Sequence, residues 1–234
     1  LFDLFVSKTQ PTKLYKGFRL FAADGSDIQI PNNPGHISSH YPGKNGQAPY
    51  NILHLDAIYD LLQCTYQDAA LVGDRDANEQ ASLCCMVDRS PTENALIIMD
   101  RGYEGYNLLA HIQEKGWKFL LRTKDIGQAG GIIAGLSLPD AEEFDISVDL
   151  SLTTRQTNEV KELCKHRNEF RFVPSNRSFD YLPRTNRKHD PLQFYPLSFR
   201  VVRFKITEDT CETVVTNLDA QLFPPIELKK LYAM

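Results

Sequence analysis

Residues 94 to 106 read NALIIMDRGYEGY, and no other stretch narrows the possible folds as far. Asn94 to Met99 is short, rich in Ile and without period-two alternation, the pattern of a strand covered on both faces. Such a strand belongs inside an α/β sheet. Asp100 then stands at its carboxyl end, and Gly102 and Gly105 bracket a tight turn. Tyr106, Leu108, Leu109 and Ile112, followed by Gly116, spell an amphipathic helix closed by a glycine C-cap. Ligands of open α/β sheets collect outside the carboxyl ends of strands, which makes Asp100 a candidate site residue. An equally good reading of this stretch alone is that Asp100 serves as the helix N-cap.

The flanking sequence extends the pattern. Phe18 to Ala23 is an apolar run ending at Asp24, and Gly25-Ser26 then suggests a tight turn into a return strand at Ile28 to Ile30. Residues 31 to 48 are rich in Gly, Pro, Asn and Ser and read as an exposed loop. Asn51 to Leu62 and Cys64 to Val72 are β-prone runs meeting near Gln63. Asp76 to Arg89 has N-cap chemistry and helical spacing, and Trp117 to Arg122 is a further strand. The order up to Lys124 is β-β-β-α-β-α-β, with Asp24 ending the first strand and Asp100 the fourth. Beyond it the sequence turns to short alternating runs, Phe144 to Leu152 and Ser198 to Thr207, so residues 125 to 212 read as a β-rich insertion. Thr213 to Leu218 is one more strand, and Pro224-Pro225 opens a last helix. The expected organisation is 1–17 as an N-terminal remnant, 18–124 and 213–234 as two parts of one α/β domain, and 125–212 as the insertion.

At 42% hydrophobic and 24% charged residues, the 234-residue chain can bury a sizeable core. No apolar run approaches the ~20 residues of a membrane span, and the first residues lack the parts of a signal peptide. No membrane partner is expected. The chain opens without Met and reads as a fragment. Its five cysteines include an adjacent pair and no CxxC, which suits reduced thiols in the cytoplasm rather than a disulfide framework. Cys164, His166, His189 and Cys211 do not have the spacing of a common zinc site. Residues 155 to 205 carry 12 Lys and Arg against 5 Asp and Glu, although the whole chain has a net charge of -4. An acidic body with one basic segment can hold a polyanion on one face and metal ions elsewhere.

Two Asp at the carboxyl ends of neighbouring strands point into one pocket, where like charges are costly unless a cation neutralises them. Hard oxygen donors suit Mg²⁺ or Mn²⁺, and two such ions bridging a phosphate are a device for phosphoryl transfer. With AADGSDIQIP around Asp24, ALIIMDRGYEGYNLLAHIQEKGWKFLLR around Asp100 and VVTNLDAQLFPPIELKKLYAM at the end, the chain resembles the DDE transposases of bacterial insertion sequences. The group in question bears a tyrosine-arginine-glutamate-lysine signature.

The resemblance implies a ribonuclease H-like, retroviral-integrase-type α/β fold with a mixed sheet and a β-rich insertion. It implies Asp24 and Asp100 as catalytic metal ligands for two Mg²⁺ or Mn²⁺ ions. Arg101 and Tyr103 would line the wall beside the scissile phosphate, and Tyr232 would open the signature, whose arginine and glutamate fall three and seven residues later. The third acid then lies past Met234, and the fragment is expected to be inactive. Double-stranded DNA, as element ends and target, is the implied partner, with a homodimer in the synaptic complex and a cytoplasmic, nucleoid-associated setting. Arg171, Arg177, Arg184, Arg187, Lys188, Arg200 and Arg203 are candidate DNA contacts. Another ribonuclease H-like nuclease or resolvase and a non-catalytic DNA-binding remnant are the alternatives. Trp117 is expected in the core. The HxxxH pair His36 and His40 falls in a loop and is not expected to bind metal, and Asp27, Asp56, Asp60 and Asp68 are expected to face outward. Glu227 does not match the signature glutamate.

Overall fold

Strand β1 is one unbroken run, Arg19–Ile30, and this sets the geometry of everything around it. In the computed structural model, which describes Leu4, residues 11–182 and residues 193–233, the chain forms two compact units, 1–103 and 104–234. In the first unit, β2 (His40–Tyr41) and β4 (Thr65–Gly73) share one edge of β3 (Tyr50–Asp60). β1 lies antiparallel along the other edge of β3, and β5 (Ala95–Met99) lies parallel to β1. The turn expected at Gly25-Ser26 is absent. Asp24, Gly25 and Ser26 pair with Ala57, Asp56 and Leu55, so the β3 ladder takes up the backbone groups a turn would have left free. Gly25 therefore serves close approach rather than chain reversal.

Helix α1, Glu79–Arg89, starts after Asn78, whose side chain accepts the Ala81 N–H. It buries Leu83, Cys84, Met86 and Val87, the i, i+1, i+3, i+4 set of an amphipathic helix. Ala95, Leu96, Ile97 and Met99 are at most 1% exposed, which matches the strand pattern that both faces are covered. A 3-10 turn, Arg101–Tyr103, follows.

The second unit begins with α2 (Tyr106–Glu114), capped at Gly105 and ended where Gly116 takes φ 76°. Its sheet runs β6 (Lys118–Arg122), β10 (Cys211–Thr216), β9 (Tyr195–Lys205), β7 (Phe144–Thr153) and β8 (Phe170–Phe172). β7 and β8 pair in parallel, and a short helix, α3 (Asn158–Leu163), lies between them in sequence. Three of these strands, β7, β8 and β9, fall within residues 125–212. Trp117 is 1% exposed, a core residue as expected. Helix α4, Pro225–Tyr232, begins with proline at its first position and buries Leu228 and Leu231 completely. The architecture is mixed α/β; leaving out the two-residue β2, Asp24 lies within the first strand and Asp100 directly follows the fourth.

Candidate metal centre

The register of β1 and β5 brings the two candidate acids together. Ala22 pairs with Ile98 in the parallel ladder, and two further residues on each strand give Asp24 and Asp100. Partners level across adjacent strands, about 4.8 Å apart, send their side chains to the same face. Both aspartates are exposed. Asp24 Oδ1 accepts the N–H of Gly25 at 2.9 Å, and Asp100 Oδ1 accepts the N–H of Gly102 at 2.9 Å. Asp100 also accepts the Tyr103 N–H through its carbonyl, so it fastens the 3-10 turn. It is not the cap of α2, a place taken by Gly105.

A third carboxylate, which the sequence did not single out, stands between them. Glu79 is the first residue of α1. A Cβ on Gly25 would lie 2.8 Å from Glu79 Oε1, and one on Gly102 would lie 3.3 Å from Glu79 Oε2. Both glycines are small because this carboxylate passes between them. Gln80 Nε2 donates to the Gly102 carbonyl at 3.0 Å and ties the start of α1 to the turn.

A fourth acid comes from β3. Period-two alternation puts His54, Asp56, Ile58 and Asp60 on its buried face. The expectation that Asp56 and Asp60 face outward is therefore wrong, since each is 1% exposed. Both acids find partners inside, which is what makes burial tolerable. Asp60 accepts Arg19 Nε at 3.0 Å and Nη2 at 2.8 Å. Asp56 Oδ1 lies 3.2 Å from His54 Nε2, and His54 Nδ1 lies 2.7 Å from Asp27 Oδ1. Asp68 is largely covered and pairs with Arg89, whereas the Asp27 side chain is 60% exposed and faces outward as expected.

The electrostatics follow from this crowding. Glu79 has its pKa raised, first by burial and then by Asp56, Asp100 and Asp24, with His54 opposing. Burial pushes the Tyr103 phenol up as well, and Glu79, Asp56, Asp24 and Asp100 all add to the shift. Burial works against a charged His54 ring, but its bonds to Asp27 and Asp56 outweigh that and raise its pKa. A cluster of oxygen donors that repel one another in this way fits a divalent cation. His54 with Asp56 and Glu79 has ligand atoms within 4.8 Å of one another, as does His54 with Asp27 and Asp74.

The other candidate residues scatter. Arg101 and Arg177 are exposed, and Arg171, Arg203 and Tyr232 are half-buried. Arg203 donates to Thr213 Oγ1 at 3.1 Å, and Arg171 donates to the Ala134 carbonyl at 2.9 Å. Two candidate DNA contacts are turned inward instead. Tyr103 is 2% exposed, and Arg200 is 7% exposed with its guanidinium held by Asp145 and by the carbonyls of Leu218 and Phe223. Arg184, Arg187 and Lys188 lie outside the described residues. His36 and His40 hydrogen-bond to Ser39 and Asn51.

Among solved structures, the chain is similar to a piggyBac transposase in a synaptic complex with hairpin DNA. Identity is 9% and the TM-score 0.45, over 92% of this chain and 39% of that one. The chain thus spans less than half the length of that relative. No curated protein matches the sequence. Residues 15–233 match the family described as Transposase DDE domain, a family that works with divalent metal ions. That span takes in Asp24, Asp100 and the strands and helices β1 to β10 and α1 to α4 given above, and the chain belongs to the transposase DDE domain family.

Proposed function

We propose that this chain is the catalytic domain of a DNA transposase that cuts DNA at the ends of an insertion sequence and joins the freed 3′ hydroxyl to new DNA. The observation that supports the proposal is the parallel register of β1 and β5, whose last pair, Ala22 with Ile98, stands two residues before Asp24 and Asp100, in a chain that belongs to the transposase DDE domain family. Each of these carboxylates spends Oδ1 on a nearby backbone N–H, Asp24 on that of the next strand residue and Asp100 on that of the 3-10 turn, which fixes its orientation and leaves Oδ2 for a ligand. The donor set is all oxygen and suits two Mg²⁺ or Mn²⁺ ions held by Asp24 and Asp100. When bound, such ions activate a water and stabilise the leaving oxygen of the phosphodiester. Tyr103 supports the pair from the interior, and Gln80 holds the Gly102 carbonyl so that Asp100 keeps its place.

Double-stranded DNA is the partner, gripped through its phosphates by Arg101, Arg177, Arg171, Arg203 and Tyr232, with two copies of the protein in the synaptic assembly. The DNA partner is what assigns the protein to the bacterial cytoplasm, at the nucleoid; separately, no helix of the described residues is long and apolar enough to cross a membrane. The test is nicking of a labelled duplex by the full-length gene product in Mg²⁺ or Mn²⁺. Asp24→Asn and Asp100→Asn should each remove cleavage by about 100-fold or more, and the double variant should lose little further, because residues acting as one unit are not additive. Cleavage that survives both substitutions would place the chemistry elsewhere. DNA binding without any cleavage would favour a non-catalytic binding module.

A further inference from the structure

Beside the aspartate pair, the buried face of β3 carries a group that the transposase reading leaves unused. Asp56 is 1% exposed, and its Oδ2 is buried without a hydrogen-bond partner. A buried carboxylate oxygen with nothing to accept from is costly, and such an orphan asks for a ligand. The neighbouring groups supply the rest of a coordination shell. His54 Nε2 lies 3.2 Å from Asp56 Oδ1 and 3.5 Å from Glu79 Oε1. Ligands about 2.0–2.2 Å from a shared ion stand about 3.4 Å apart at tetrahedral angles. The observed spacings are of that size.

The far side of the imidazole matters as much. His54 Nδ1 is 2.7 Å from Asp27 Oδ1, a bond in which the ring donates, so an ion bound at Nε2 would take the place of the proton that Nε2 shares with Asp56 Oδ1 in the metal-free chain. A carboxylate behind a histidine in this way orients the ring and raises its basicity toward a metal. From these contacts we propose that His54, Asp56 and Glu79 form a separate transition-metal site, with Asp27 as its outer carboxylate, distinct from the all-oxygen pair Asp24 and Asp100. One nitrogen and two carboxylates with an open fourth position select Zn²⁺, Co²⁺ or Mn²⁺ over Mg²⁺. The ion neutralises two acids and pins the Glu79 carboxylate between Gly25 and Gly102.

Co²⁺ is the probe, read by its visible absorption in the full chain, with circular dichroism as the check on folding. The Asp24→Asn/Asp100→Asn double variant should still bind Co²⁺, and Zn²⁺ in excess should displace it where Mg²⁺ does not. His54→Gln should abolish the nitrogen-ligated spectrum, and Asp27→Asn should weaken binding by about 10–100-fold, as loss of an outer carboxylate does. Pulsed electron paramagnetic resonance of Mn²⁺ in the unsubstituted chain should report coupling to an imidazole nitrogen, a result that depends on no variant folding. Three results would overturn the site: no nitrogen coupling, Co²⁺ affinity unchanged in His54→Gln, or Co²⁺ binding lost in the folded Asp24→Asn/Asp100→Asn variant. Failure of DNA cleavage leaves all of these readouts intact, so the two proposals fail separately.

Discussion

Gly25 is the residue on which the local geometry turns. Its backbone is ordinary strand, so any L-residue could adopt the conformation. What excludes a side chain is space, because a Cβ would meet Glu79 Oε1 at 2.8 Å and His54 Nε2 at 2.9 Å. Gly25→Ala should therefore cost about 1–3 kcal/mol through overpacking. For a chain of this size that is a fall in Tm of roughly 2–10 °C. An unchanged Tm in calorimetry would mean that Glu79 does not occupy this gap. Glu79 itself makes a pH prediction for the metal-free chain. Its folded pKa lies above the ordinary 4.5, so between that value and the raised one the folded chain holds a proton that the unfolded chain has released. Stability should fall as pH rises through this window, and Glu79→Gln should flatten the fall. A steeper fall in the variant would contradict the assignment.

At the scale of elements, strand β3 shows which part of the fold was legible and which was not. Strand β5 and helix α2 were readable because a doubly covered strand and an amphipathic helix each carry their own periodicity. Asp24 and Asp100 were readable for the same reason, standing where apolar runs stop. β3 alternates just as cleanly, but alternation gives two faces without saying which is inside. Its polar face lies inside because Arg19, His54 and the turn after Asp60 supply partners that the local sequence cannot reveal. Glu79 stayed hidden because a glutamate at the start of a helix is ordinary, and Gly25 misled because a glycine that makes room and a glycine that makes a turn look alike. The Arg19–Asp60 pair, with side chains 10% and 1% exposed, carries the element-scale prediction. Asp60→Ala strands a buried guanidinium and frees the N–H groups of Leu62 and Gln63. It should destabilise by about 3–5 kcal/mol in urea unfolding, and a loss below about 1 kcal/mol would show the charge reaching water.

Over the whole molecule, charge divides by task. The acids assigned to metal binding in the two proposals, Asp24, Asp56, Glu79 and Asp100, all belong to the first unit, while the basic residues 155 to 205 belong to the second. Part of that basic excess is structural, as Arg200 with Asp145 demonstrates, and the exposed remainder is what a DNA backbone can use. Helix α4 is short enough to be marginal alone, yet Leu228 and Leu231 are fully buried, so it is held by its contacts rather than frayed. If Asp24 and Asp100 hold metal as one unit, as proposed, Mg²⁺, which a histidine site disfavours, reads that pair selectively. The direct test is a double-mutant cycle on Mg²⁺ affinity by titration calorimetry, using Asp24→Asn, Asp100→Asn and the double variant. Each single substitution should remove nearly all measurable Mg²⁺ binding and the double variant should be no worse, a coupling on the order of 1–3 kcal/mol. Losses that simply add, or Mg²⁺ binding that persists in the double variant, would contradict it.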